Sequence, residues 1–93
     1  MTHAGDELGD ADYSDIANEQ LDALERGQDP DLYDAVLDAI KMIFEKPSMA
    51  RSLSTGVTSE DGIRMRFAVP GYLEYKVFWS TDGPRIDAVF RYP

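Results

Sequence analysis

Ile63-Arg64-Met65-Arg66-Phe67-Ala68-Val69-Pro70-Gly71-Tyr72-Leu73-Glu74-Tyr75-Lys76-Val77 decides the fold class of this 93-residue chain. Ile63, Met65 and Phe67 alternate with Arg64 and Arg66, and beyond the Pro70-Gly71 turn Leu73, Tyr75, Val77 and Trp79 alternate with Glu74, Lys76 and Phe78. A period of two is that of a strand with one buried face, and Pro-Gly between two such runs is a turn signal. Glu60-Asp61-Gly62 reads as the turn into the first run. After a second turn, Thr81-Asp82-Gly83-Pro84, the residues Ile86, Ala88 and Phe90 alternate with Asp87, Val89 and Arg91. Three antiparallel strands in a meander are expected. Arg64, Arg66 and Arg91 are expected together on the face turned away from the core.

Upstream the period changes to that of a helix. Behind Ser14 or Asp15, either able to cap, Tyr13, Ala17, Leu21 and Leu24 recur on one side, and Gly27 stops the element. Asp29-Pro30 opens a second helix, with Asp29 as N-cap and Pro30 in the first turn, where a missing N–H is harmless. Leu32, Val36, Ile40 and either Ile43 or Phe44 form its stripe, and Tyr33, Leu37 and Phe44 widen it. Asp31, Asp34 and Asp38 fall early and Lys41 and Lys46 late, matching the helix macrodipole, and Pro47 ends it. Residues 47–60 read as a connection anchored by Met49 and Leu53. The expected architecture is therefore α+β, an N-terminal helical hairpin packed on a three- to four-stranded antiparallel sheet. It occupies residues 13–93 as a single domain, behind an acidic, flexible tail at residues 1–12.

Charge is divided unevenly. Twelve of the eighteen acidic residues precede position 39, where only Arg26 opposes them, while eight of the nine basic residues follow it. The net charge of −9 thus conceals a mildly cationic strand region, net +2 over residues 39–93. Cysteine is absent, which removes disulfides and thiolate chemistry. The single histidine, His3, has no partner at ligand spacing, and no Ser-His-Asp set can be assembled. Asp10 to Asp15 has a superficial likeness to a calcium loop, but Asp15 stands where the loop needs glycine and Leu21 where it needs a bidentate glutamate. No cofactor and no metal is expected. With no signal-like start and no long apolar run, a cytoplasmic location without membrane attachment is expected.

The order of helices and strands resembles the RelE/ParE superfamily of bacterial toxins over about residues 13–92. The run Ile63 to Val77 is similar to that family's basic strand, Gly-Tyr turn and Tyr-x-Val strand, and Ala88-Val89-Phe90-Arg91-Tyr92 to its last strand. The resemblance implies a toxin-like component of a toxin-antitoxin system, a ribosome-dependent and metal-independent mRNA endoribonuclease. Arg64, Arg66, Arg91 and Tyr92 would be its catalytic residues, and Arg64, Arg66, Lys76 and Arg91 would hold the RNA phosphates. Guanidinium groups on adjacent strands suit such work, since they grip phosphate bidentately and stabilise charge that grows in the transition state. The chain departs from the nuclease pattern at Leu73, where those enzymes carry an arginine. The alternative implied is a non-catalytic protein of the same fold that acts by binding protein, a gyrase-type target or an antitoxin. Both readings imply a cognate antitoxin. Residues 6–15 either fold back over Arg64 and Arg66 or serve as a solubilising extension.

Overall fold

The computed structural model describes residues 12–59 and 62–93; most of the expected tail, and Glu60 and Asp61 of the expected turn, lie outside them. Among these described residues three helices precede four strands: α1 (Asp15–Arg26), α2 (Pro30–Glu45), α3 (Pro47–Leu53), β1 (Thr55–Ser59), β2 (Gly62–Val69), β3 (Tyr72–Ser80) and β4 (Arg85–Arg91). The strands form one antiparallel sheet in the order β1-β2-β3-β4. All three helices pack on one side of it, α1 along β4, α2 across β2 and β3, and α3 between α2 and β2.

The first two helices begin where capping chemistry places them. The Ser14 hydroxyl accepts from the Ala17 amide at 3.0 Å, and the Asp29 carboxylate accepts from the Leu32 amide at 3.0 Å, with Pro30 in the first turn. Gly27 closes α1 by donating to the Leu24 carbonyl at 3.1 Å, with φ of −74° and not the left-handed conformation a glycine cap commonly takes. The apolar stripe of α2 enters the core as expected: Leu32, Val36, Ala39, Ile40 and Ile43 are buried. They meet Met65, Phe67 and Val69 of β2, Val77 and Trp79 of β3, and Ile86 and Val89 of β4. Trp79 is fully buried and its indole N–H, which must find a partner there, donates to the Ser54 hydroxyl at 3.1 Å.

Three expectations are corrected. Residues 47–60 are not a plain connection: Pro47 starts α3, and Thr55–Ser59 pairs with β2 as a fourth strand. Met49 and Leu53 do not anchor it, being 48% and 58% exposed, and Ala50 is the buried member of α3. The third correction changes the faces of β4. Phe78 pairs with Ala88 but the next residue, Trp79, pairs with Ile86, so Asp87 is an extra residue in β4. The side-chain phase reverses across this bulge. Ile86 and Val89 point into the core, whereas Ala88 and Phe90 join the outer face. Arg91 therefore lies opposite Tyr75, on the helix side of the sheet, and not beside Arg64 and Arg66.

The bulge is fixed from both layers. The Ser14 amide donates to the Ile86 carbonyl at 2.9 Å and its hydroxyl to the Asp87 carbonyl at 2.6 Å, so the residue that caps α1 also holds the chain against β4. On the same strand the Val89 amide donates to the Gln20 side-chain carbonyl at 2.5 Å. Ser14→Ala should thus cost more than the cap alone, about 1–2 kcal/mol against about 1 kcal/mol for Asp29→Ala, measured by urea unfolding. Equal losses would show that the contact with Asp87 adds nothing.

Tyr13, packed on Phe44 with ring centroids 5.8 Å apart, gives a pH dependence. Burial first, then the neighbouring Asp12 carboxylate and Tyr33, push its phenol above the ordinary value of 10.0. The folded state then holds this proton more tightly than the unfolded chain does. Its contribution is complete below about pH 10 and is lost as pH rises through the folded-state value. Unfolding midpoints above about pH 10 should fall more steeply for the native chain than for Tyr13→Phe, with absorbance at 295 nm reporting the late-ionising phenol.

Candidate nucleic-acid interface on the open sheet face

Among the described residues no helix covers the second side of the sheet, and the residues there are placed by strand register. Arg66 stands opposite Phe78, and Phe78 opposite Ala88; Ala68 stands opposite Lys76, and Lys76 opposite Phe90. Residues directly opposite share a face. Arg64, Arg66, Lys76, Phe78 and Phe90 therefore form one surface, and Tyr92 joins it by donating its amide to the Glu74 carbonyl at 2.6 Å.

Aromatic rings dominate its centre. Phe78 and Phe90 stack with centroids 4.9 Å apart and planes 11° from parallel. Tyr92 meets both edge-on, at 5.8 Å from Phe78 and 6.2 Å from Phe90. The Arg66 guanidinium lies 5.3 Å from the centroid of the Tyr92 ring, within cation–π range. Phe90 and Tyr92 remain 39% and 46% exposed, which leaves ring surface open beside a cation. The Lys76 ammonium donates to the Leu73 carbonyl, which tethers it at the end of the platform near Glu74.

Asp87 fastens the opposite end. Its carboxylate accepts from the Ser80 hydroxyl at 2.5 Å and lies 3.7 Å from Nε of Arg64, whose side chain is 45% exposed. At that exposure the ion pair is screened and contributes little, so the hydroxyl contact is the larger effect.

The expected site residues thus divide. Arg64, Arg66, Lys76 and Tyr92 share the open face, while Arg91 stands on the helix side opposite Tyr75. Leu73 is exposed in the irregular stretch between Tyr72 and Lys76, so it supplies neither a cation nor core packing. Trp79 is core and Tyr75 packs against the core, as the apolar phase of β3 places them, and Tyr72 packs against it too. Phe90 escaped sequence reasoning because unbroken alternation assigns it to the core. The one available signal was Phe78, which occurs in the polar phase of β3.

The helix layer has the opposite charge. Asp15, Glu19, Asp22 and Glu25 of α1 and Asp31, Asp34 and Asp38 of α2 are all exposed. The phenol of Tyr72 is raised above 10.0 by local desolvation and then by Asp29, Asp31 and Glu74. Of the segment expected to fold back over the arginines, residues 6–11 lie outside the described residues, and Tyr13, Ser14 and Asp15 instead run from the margin of β4 into α1. Among the described residues no group of three His, Cys, Asp or Glu could hold a metal ion, and no helix is long and apolar enough to cross a membrane.

No protein-family model, curated protein or solved structure matches this chain to a significant degree. The site is therefore argued from its own geometry. Asp87→Asn keeps an acceptor for Ser80 and should change stability by less than about 1 kcal/mol, whereas Asp87→Ala removes it and should cost about 1–2 kcal/mol in urea unfolding. Equal losses in the two variants would mean that charge, and not the hydroxyl contact, fastens the bulge.

Proposed function

We propose that this chain binds single-stranded RNA on the open face of its sheet, as a divergent RelE/ParE-type toxin component whose target class is mRNA on the ribosome. The observation that carries the reading is the Arg66 guanidinium over the Tyr92 ring, beside the stacked Phe78 and Phe90. Unpaired bases stack on aromatic faces, and the phosphates between them follow a groove or line of cations. Phe90 and Tyr92 offer the rings, while Arg66, Arg64 and Lys76 stand around them for the backbone. Duplex RNA fits poorly, since its bases are stacked internally and cannot reach the platform. The acidic helix layer repels polyanions and leaves the sheet as the side of approach.

Strand scission by the toxin route is the attack of a ribose 2′-oxygen on the adjacent phosphorus as the P–O5′ bond breaks, giving a 2′,3′-cyclic phosphate, with the 2′-hydroxyl proton passing to solvent and the departing 5′-oxygen taking one from it. On this face Arg64 and Arg66 would stabilise the phosphate charge in that step, with Arg91 excluded by register. Holding RNA is therefore the better supported half of the activity. A second reading, contact with an antitoxin or a gyrase-type protein, is favoured by the apolar character of the Phe78, Phe90 and Tyr92 cluster, since exposed aromatics beside arginine also anchor protein interfaces.

Fluorescence anisotropy with a labelled single-stranded RNA, from about 50 to 200 mM salt, tests the proposal. Arg66→Ala should weaken binding about tenfold and reduce the salt slope by about one. Tyr92→Ala should weaken it by about 1–3 kcal/mol with the slope unchanged, and Arg91→Ala should leave it within about twofold because it does not reach this face. Absence of binding at the lowest salt, or equal losses for Arg91→Ala and Arg66→Ala, would overturn it. Intact mRNA in a purified translation system, with binding retained, would separate holding from cutting.

A further inference from the structure

β2 is longer than the strand beside it. The ladder between β1 and β2 begins at Thr55 opposite Arg66 and runs back to Ser59 opposite Gly62. Phe67, Ala68 and Val69 therefore have β3 on one side and, among the described residues, no strand on the other. Backbone N–H and C=O groups along such an edge are a template for another strand. Immediately above it lies an apolar cleft, walled by Ala35, Ala39 and Met42 of α2 with Asp38 at its rim, and floored by Phe67 and Pro70. Met42 and Ala35 are only partly buried where they pack against the core.

We propose that this corner of the molecule is a strand-addition site for an extended peptide segment of a partner protein, carrying an apolar side chain for the cleft and flanking lysine or arginine residues. The juxtaposition supplies both elements of that recognition mode, main-chain pairing along the edge and a pocket for an alternate side chain. Charge selects the occupant. Asp38 borders the cleft, and Asp31 and Asp34 are exposed on the same helix. A second copy of this chain, net −9, would bring its own α2 carboxylates against these. An RNA strand and the acidic N-terminal residues of this chain are disfavoured for the same reason. With only three residues of open edge, the cleft side chain must anchor the peptide, so occupancy depends on both features together. The site is separate from the aromatic sheet face and stands whether or not that face binds RNA.

Selection of displayed random dodecapeptides on the full chain, with counter-selection on Ala35→Phe, tests this. The enriched peptides should carry an aliphatic or aromatic residue with lysine or arginine nearby. The best of them, made synthetically and titrated into isotope-labelled protein, should shift the amide signals of Phe67, Ala68 and Val69 and the methyl signal of Met42. Ala35→Phe fills the cleft and Asp38→Lys reverses its rim; each should weaken that peptide at least tenfold. The exposed Asp38 site keeps the test valid if the cleft-filling variant is destabilised. Failure to enrich any sequence, enrichment of acidic peptides, or shifts confined to Phe78, Phe90 and Tyr92 would overturn the proposal. A dimer in sedimentation that Ala35→Phe dissolves would also overturn it, in favour of a second copy. Loss of RNA binding with peptide binding intact would count against the sheet-face reading alone.

Discussion

A single additional residue in β4, Asp87, sets the arrangement of the rest. Were Asp87 an ordinary alternating position with its own partner in β3, Phe90 would stand in the core and Arg91 on the outer face. The bulge is held at three polar groups: the Asp87 carbonyl takes the Ser14 hydroxyl, the Ile86 carbonyl takes the Ser14 amide, and the Asp87 carboxylate takes the Ser80 hydroxyl. Helix start and strand register are thereby specified together. A change at Ser14 acts on the sheet face from the far side of the molecule.

The same register explains why three aromatic rings remain at a surface. Burial of Phe90 is prevented by backbone phase, so it reduces its wetted area by stacking on Phe78, and Tyr92 closes the edge of the pair. All three are carried at or beside strands of one sheet whose inner face is densely packed by Trp79, Val77 and Phe67. A surface so supported is held more firmly than one built on loops, which suits recognition by stacking.

Much of this architecture was legible in the sequence, and the failures have physical causes. α1 and α2 were readable because cap, stripe and stop agree, from Ser14 to Gly27 and from Asp29 to Pro47. β2 and β3 were readable from strict alternation. β1 was not, since Thr-Gly-Val-Thr-Ser has one apolar side chain and pairs at an edge where burial does not select hydrophobic residues. α3 was obscured because Pro47 serves at once as the barrier to α2 and as a residue of the first turn of α3. At the site, Arg64, Arg66 and Lys76 were legible on one face from their phase in β2 and β3, whereas Tyr92 was named by the resemblance alone and unbroken alternation sets it on the core side with Phe90. Arg91 was misplaced, because a bulged aspartate looks like an ordinary polar position until its cross-strand partners are known. The open edge of β2 was likewise invisible, being a property of unequal strand lengths.

Helices rich in aspartate on one side and a sheet bearing arginine on the other give the two layers unlike charge within a body whose principal extents are 35 × 28 × 24 Å. In the field of a polyanion such an object experiences a torque as well as a force. It turns its strands toward the source before touching it, once within the roughly 8–10 Å over which physiological salt lets charges sense one another. Overall negative charge keeps copies of the protein apart, and raising ionic strength weakens both that repulsion and any such alignment.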